Sequence, residues 1–150
     1  MKEEIVQFLF LVFSVVLAAA LEELLPSCCG AGLPLTLAVV MSVAPRLNVL
    51  PGVMTAIGAG AFEDALSALP PLTSVSFFMI AALLSRKEYF PRTSLVVLFP
   101  AYALWTGMCA AGPFGDVFLR VAVSLPLGAL AFLPVNPMLN FVGGKAGLDD

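Results

Sequence analysis

The sequence predicts an all-α fold, a single polytopic membrane domain of six short transmembrane helices. Three observations lead there. Of the 150 residues, 61% are hydrophobic and only 11% are charged, against ~45–50% and ~25% in an average soluble domain. Prolines cut the apolar sequence into segments close to the ~20 residues that cross a bilayer. The basic residues gather at alternate ends of those segments. A water-soluble chain of this size could not hide so much apolar surface, so the excess is expected to face lipid.

The first helix is expected at about 5–25. Its leader, Met1-Lys2-Glu3-Glu4, carries two acids. A secretory signal has a positive leader and a shorter apolar core, so the run reads as a first transmembrane helix. The second helix, about 33–49, is short and weakened near Pro45-Arg46. The third spans about 51–69. The fourth, about 72–85, is too short for a full tilted crossing. The fifth and sixth span about 92–111 and 114–133, and the tail 134–150 is polar enough to leave the membrane. Pro26, Pro34, Pro45, Pro51, Pro70, Pro71, Pro91, Pro113, Pro134 and Pro137 fall at or near helix ends, where a missing N–H costs least. Pro100 and Pro126 fall inside helices five and six and are expected to kink them.

With a cytoplasmic N-terminus, Lys2, Arg46, Arg86, Lys87, Arg92 and Lys145 all lie inside. Arg120 alone lies outside, four residues after Asp116, where the two can pair. This is the distribution the positive-inside rule expects, and it puts both termini in the cytoplasm. Arg46, Arg86, Lys87 and Arg92 read as topology and cytoplasmic-loop anchors, the last three also able to meet anionic lipid. Glu22, Glu23, Glu63, Asp64 and Asp116 fall at the outer ends. Glu22 and Glu23 read as solvated boundary charges. Trp105 and Tyr102 lie mid-helix and are expected to pack inside the bundle.

Several function classes are disfavoured. The chain has no histidine, which removes the usual proton shuttle and the commonest transition-metal ligand. Cys28, Cys29 and Cys109 make a poor metal site and read as small apolar fillers. No nucleophile–base pair, phosphate loop or metal spacing is present, and no basic run marks a nucleic-acid surface. No enzymatic activity, cofactor or metal is expected, and no nucleic-acid partner.

Helix three holds the most informative pattern. Gly52, Ala56, Gly60 and Asp64 recur every four residues and share one face. Small faces let a second backbone approach closely. Asp64 ends that face, with Glu63 beside it. Three readings stay open for the pair: a water-boundary marker, a packing or partner-docking contact, and a proton or ion pathway. A carboxylate at a helix centre in lipid costs about 2.5–3.5 kcal/mol, so one kept near this depth calls for a partner.

The stretch "PGVMTAIGAGAFEDALSALPPLTSVSFFMIAALLSR" resembles the central segment of the rod shape-determining protein MreD family. That family shows a Gly-rich apolar helix, a G-x-x-x-D step, a short turn and another apolar helix. Gly60 matches the glycine, Asp64 the acid, and Ser67 with Pro70-Pro71 the turn. Upstream, "GLPLTLAVVMSVAPRLNVLPG" resembles the family's second helix, with Pro34 and Arg46 at its proline and its terminal basic residue. The likeness covers roughly residues 30 to 88. One departure is that the glycine expected after the turn is replaced by Leu72 or Thr73.

The resemblance implies a non-enzymatic scaffold of the bacterial inner membrane, part of the cell-elongation machinery. It implies a bitopic MreC-like partner and, through it, the MreB filament and peptidoglycan synthases such as RodA. It also implies a fold similar to the substrate-binding subunits of energy-coupling-factor vitamin transporters. A transporter subunit of that kind is the alternative function. Such subunits usually present an Ala-x-x-x-Ala face on helix one. "SVVLAAALEE" offers only Ser14 with Ala18, Val15 with Ala19, or Val16 with Ala20.

Overall fold

The computed structural model describes residues 2–25, 33–67, 69–86, 92–110 and 114–143. Among them there is no strand. Six α-helices follow in order: α1 (Lys2–Leu24), α2 (Leu35–Val43), α3 (Val49–Leu66), α4 (Thr73–Leu84), α5 (Leu98–Cys109) and α6 (Phe114–Gly143). Single 3-10 stretches extend α2 (Ala44–Arg46) and precede α5 (Arg92–Val97). Of the described helices, those spanning Val49–Leu66 and Asp116–Val135 contain stretches long and apolar enough to cross a membrane.

Helix α2 sits at the centre. Every residue from Thr36 to Val43 is buried, and α1, α3, α4 and α6 all pack against it. The core is built from small residues: Ala18, Ala19, Ala38, Ala56, Ala81, Ala82 and Ala131 are buried around Leu37, Met41, Phe78 and Phe99. Large apolar side chains lie outside. Ile5, Leu9, Phe13, Leu17 and Leu21 are exposed on α1, and Phe118, Leu125, Leu130 and Leu133 on α6. Small residues inside bring helix backbones close, which is how nine residues of α2 fit among four neighbours.

Two close approaches fix the packing. A Cβ on Gly60 would stand 2.5 Å from Val75 Cα and 2.6 Å from Val75 N, so α3 and α4 touch backbone to backbone. A Cβ on Gly128 would stand 2.2 Å from the Phe99 ring, so α6 accepts that ring against its own backbone.

Several boundaries differ from those the sequence suggested. Helix two is a nine-residue α-helix, because Pro45 tightens the chain into a 3-10 turn. Helix five runs as a 3-10 stretch over Arg92–Val97 and becomes α-helical at Leu98, two residues before Pro100. Helix six does not end at 133: α6 continues through Pro134 and Pro137 to Gly143. A proline removes one donor and crowds one carbonyl. Pro126, Pro134 and Pro137 are all exposed, so each distortion falls on the outside and the inner hydrogen-bond ladder continues. Lys87, Cys28, Cys29 and residues 144–150 lie outside the described residues, as does the side chain of Arg92.

Candidate functional site

Helices α2 and α4 begin without caps of their own. Pro34 precedes α2 and Leu72 precedes α4, and neither provides a side-chain bond to the first turn. A helix start leaves N–H groups without intrahelical partners. The missing acceptors arrive from the preceding helix in each case. Glu22, near the end of α1, accepts from the Thr36 N–H at 2.8 Å and from Thr36 Oγ1 at 2.7 Å. Asp64, near the end of α3, accepts from the Ser74 N–H at 2.7 Å. Both amides are the second residue of their helix. A carboxylate there also meets the positive end of the helix dipole. Glu22 is therefore an inter-helix cap, where the sequence suggested a solvated boundary charge, whereas Glu23 is exposed.

The turn before α4 is braced on all sides. The Thr73 N–H and Thr73 Oγ1 both donate to the Pro70 carbonyl, at 3.2 and 2.7 Å. Leu72 has φ 69° and ψ 5°, the third position of a type II turn, which favours glycine. A glycine would fit this position without strain. Trp105 donates its indole N–H to the Thr73 carbonyl at 2.9 Å, and Ser74 Oγ shares a 2.7 Å hydrogen bond with Tyr102. Trp105 is 43% exposed, so it clasps this turn from outside instead of packing within.

The four-residue face expected on α3 is buried in full: Gly52, Ala56, Gly60 and Asp64. It is occupied by this chain itself. Gly60 meets α4, and a Cβ on Gly52 would stand 2.6 Å from the Arg86 guanidinium. With the two hydrogens of one terminal nitrogen, one of them shared, Arg86 reaches the carbonyls of Ala44, at 2.6 Å, of Asn48, at 2.8 Å, and of Leu47, while its Nε is buried without a partner. It holds the end of α4 to the link between α2 and α3. The sequence read Arg86 as a loop anchor; the structure uses it as a clamp inside the bundle. Arg46 donates Nε to the Ser42 carbonyl at 3.0 Å.

Glu63 points elsewhere. Its Oε1 accepts from Ser67 Oγ at 3.0 Å. Its Oε2 is buried and has no hydrogen-bond partner, although the residue is only 7% exposed. Glu63 and Glu22 line one cavity of about 230 Å³, together with Tyr102, Thr106, Arg120 and Ser124. Arg120 and Asp116 form no ion pair among the described residues; Arg120 lines the cavity instead.

The paired acids thus divide their work, because successive residues on a helix point about 100° apart. Asp64 faces α4 and Glu63 faces the cavity. The sequence suggested the importance of Gly60 and Asp64 through their spacing. It marked Glu22 only as a boundary charge and Arg86 only as a loop anchor, and did not suggest their partners, which lie 14 and about 40 residues away. The available signal was indirect: two helices start after residues unable to cap, each preceded by an acidic pair. Among the described residues no cluster of potential metal ligands is present.

Compared with known protein families, curated proteins and solved structures, the chain matches none.

Proposed function

We propose that this chain is an MreD-like scaffold of the bacterial cytoplasmic membrane, with both termini inside. In this reading it docks an MreC-like bitopic partner and, through it, serves the MreB filament and the peptidoglycan synthases. It performs no chemistry of its own. One observation carries the reading: Gly60 and Asp64, the two residues on which the resemblance turns, are those on which the α3–α4 hairpin is built. The glycine admits the neighbouring backbone, and the acid caps the neighbouring helix.

The membrane setting is supported by a bundle with small residues and polar bonds inside and large apolar side chains outside. It is supported as well by the separation of charges. Arg86 and the α2–α3 link lie at one end; Glu22, Glu63, Asp64 and Arg120 gather at the other. The packing face of α3 is filled by α4, so a partner would meet the exposed apolar faces of α1 or α6, with the α3–α4 hairpin holding them in place.

The cavity favours a second reading, a ligand-capturing subunit of an energy-coupling-factor transporter. Mild-detergent affinity purification from the native host separates the two. Recovery of an MreC-like protein with peptidoglycan synthases supports the scaffold. Recovery of ATPase subunits with a coupling membrane protein supports the transporter and overturns the scaffold. Normal accumulation and normal partner recovery with Gly60→Leu would contradict the role given to the hairpin.

A further inference from the structure

We propose that the bilayer is locally thinned beside α4, so that this side of the bundle gathers phospholipids with short acyl chains. The proposal rests on the membrane setting argued above and goes beyond both functional readings, since a scaffold or a transporter subunit could carry such a side.

Helix α4 is short for the lipid it would meet. It has 12 residues, about 18 Å at ~1.5 Å per residue, against a hydrocarbon core of about 30 Å. Helices α1, α3 and α6 have 23, 18 and 30 residues, about 34, 27 and 45 Å on the same rise. Helix α2 is shorter than α4 but buried, and α5 is lengthened by the 3-10 stretch before it. Helix α4 packs against α2, α3 and α5 and turns Ile80 and Leu83 outward, so it forms part of the outer surface.

Neither end of α4 can be lengthened into lipid. Pro70, Pro71 and Leu72 lie exposed in the turn before it. Exposed non-helical backbone does not occur within hydrocarbon, where nothing satisfies its polar groups. The start of α4 is held at that level by Asp64 on the Ser74 amide and by the close approach of Gly60 to Val75. After Leu84 the helix gives way to a turn at Ser85 and Arg86. Tilting α4 would shorten its span further.

A short span is met by thinning of the bilayer, by snorkelling of flanking charges or by association with another chain. Arg86 does not snorkel: it turns one terminal nitrogen inward onto the carbonyls of Ala44, Leu47 and Asn48. Association would cover Ile80 and Leu83, and the test reads it separately.

Trp105 is the sole tryptophan. It is half exposed and donates to the Thr73 carbonyl at the start of α4, so its fluorescence reports the lipid beside that helix. The full chain is placed in vesicles of brominated dioleoylphosphatidylcholine, whose bromines quench tryptophan, and unbrominated lipids are mixed in. Dimyristoleoylphosphatidylcholine, with shorter chains, should relieve quenching about twofold more effectively than the dioleoyl lipid, and the longer dierucoyl lipid less effectively. Phe13, exposed on the long helix α1, supplies the comparison. Phe13→Trp with Trp105→Phe moves the reporter there and should show no preference for the shorter chain. The proposal is overturned if Trp105 senses no preference or favours the longer chains, or if bromine fails to quench it because another chain covers α4. It is overturned as well if the reporter on α1 shows the same preference. A chain that stays in water and never enters the vesicles would overturn the membrane setting too, whereas a chain that enters them without the preference at Trp105 overturns this proposal alone.

Discussion

The two ends of this bundle solve the same problem with opposite charges. At one end, Arg86 gathers three carbonyls where α2 stops and α3 starts. At the other, Glu22 and Asp64 gather the amides where α2 and α4 start. In each case one long-range side chain stands in for a missing local cap. The difference is what remains. At the arginine end the guanidinium is seated in the niche left by Gly52. At the acidic end a third carboxylate, Glu63, is buried beside the caps and lines a cavity with Glu22. Both ends keep a buried polar atom without a partner, Arg86 Nε at one and Asp64 Oδ2 and Glu63 Oε2 at the other, so what sets the acidic end apart is the cavity that Glu22 and Glu63 line.

The largest expected effect tests the hairpin on which the acidic end depends. Gly60→Leu drives a side chain into the backbone of Ser74 and Val75, and overpacking of this kind costs about 3 kcal/mol or more. The variant should fail to accumulate as folded protein, as judged by detergent size-exclusion. Gly58→Ala, whose new Cβ meets nothing within 4 Å, is the matched control and should be neutral or stabilising by about 0.5–1 kcal/mol.

The arginine end is broken by Arg86→Met, which leaves three carbonyls without their donor. A loss of about 2 kcal/mol is expected. Arg86→Lys should recover part of it, since an ammonium carries the charge but not the planar fork. Thermal unfolding checks both, and equal stability of Arg86→Met and the parent would remove the clamp from the account.

At the acidic end, Glu22→Ala removes both bonds to Thr36 and should cost about 1–2 kcal/mol. The smallest effect is expected at the turn. Leu72→Gly relieves a left-handed residue that costs about 1 kcal/mol or more when it is not glycine, and should raise the unfolding temperature by a few degrees. A lower temperature would mean that the leucine side chain contributes more than its backbone costs.

Much of this architecture was legible in the sequence. Proline and charge punctuation located six segments, and a four-residue spacing on helix three marked the face that meets α4. The end of α6 was not legible, because Pro134 and Pro137 look like breakers until their exposed placement is known. The change from 3-10 to α geometry just before Pro100 was not legible either, because the sequence marks the proline but not the helix type on its two sides. The caps were hidden by distance. Nothing local links Glu22 to Thr36 or Arg86 to Ala44; those bonds follow only once the helices are stacked. The division between Glu63 and Asp64 was half visible. Their adjacency raised the question, but which of them met a partner was decided by the position of α4.

Matched alanine variants separate the roles of the two acids. Unfolding temperatures of Glu63→Ala and Asp64→Ala would be compared in the same nanodiscs. Asp64→Ala strands the Ser74 amide and should lose about 2 kcal/mol. Glu63→Ala gives up only the bond from the exposed Ser67 hydroxyl and should stay within about 0.5 kcal/mol of the parent or exceed it. A loss at Glu63 as large as that at Asp64 would show that both acids hold the fold, and would contradict the assignment of Glu63 to the cavity.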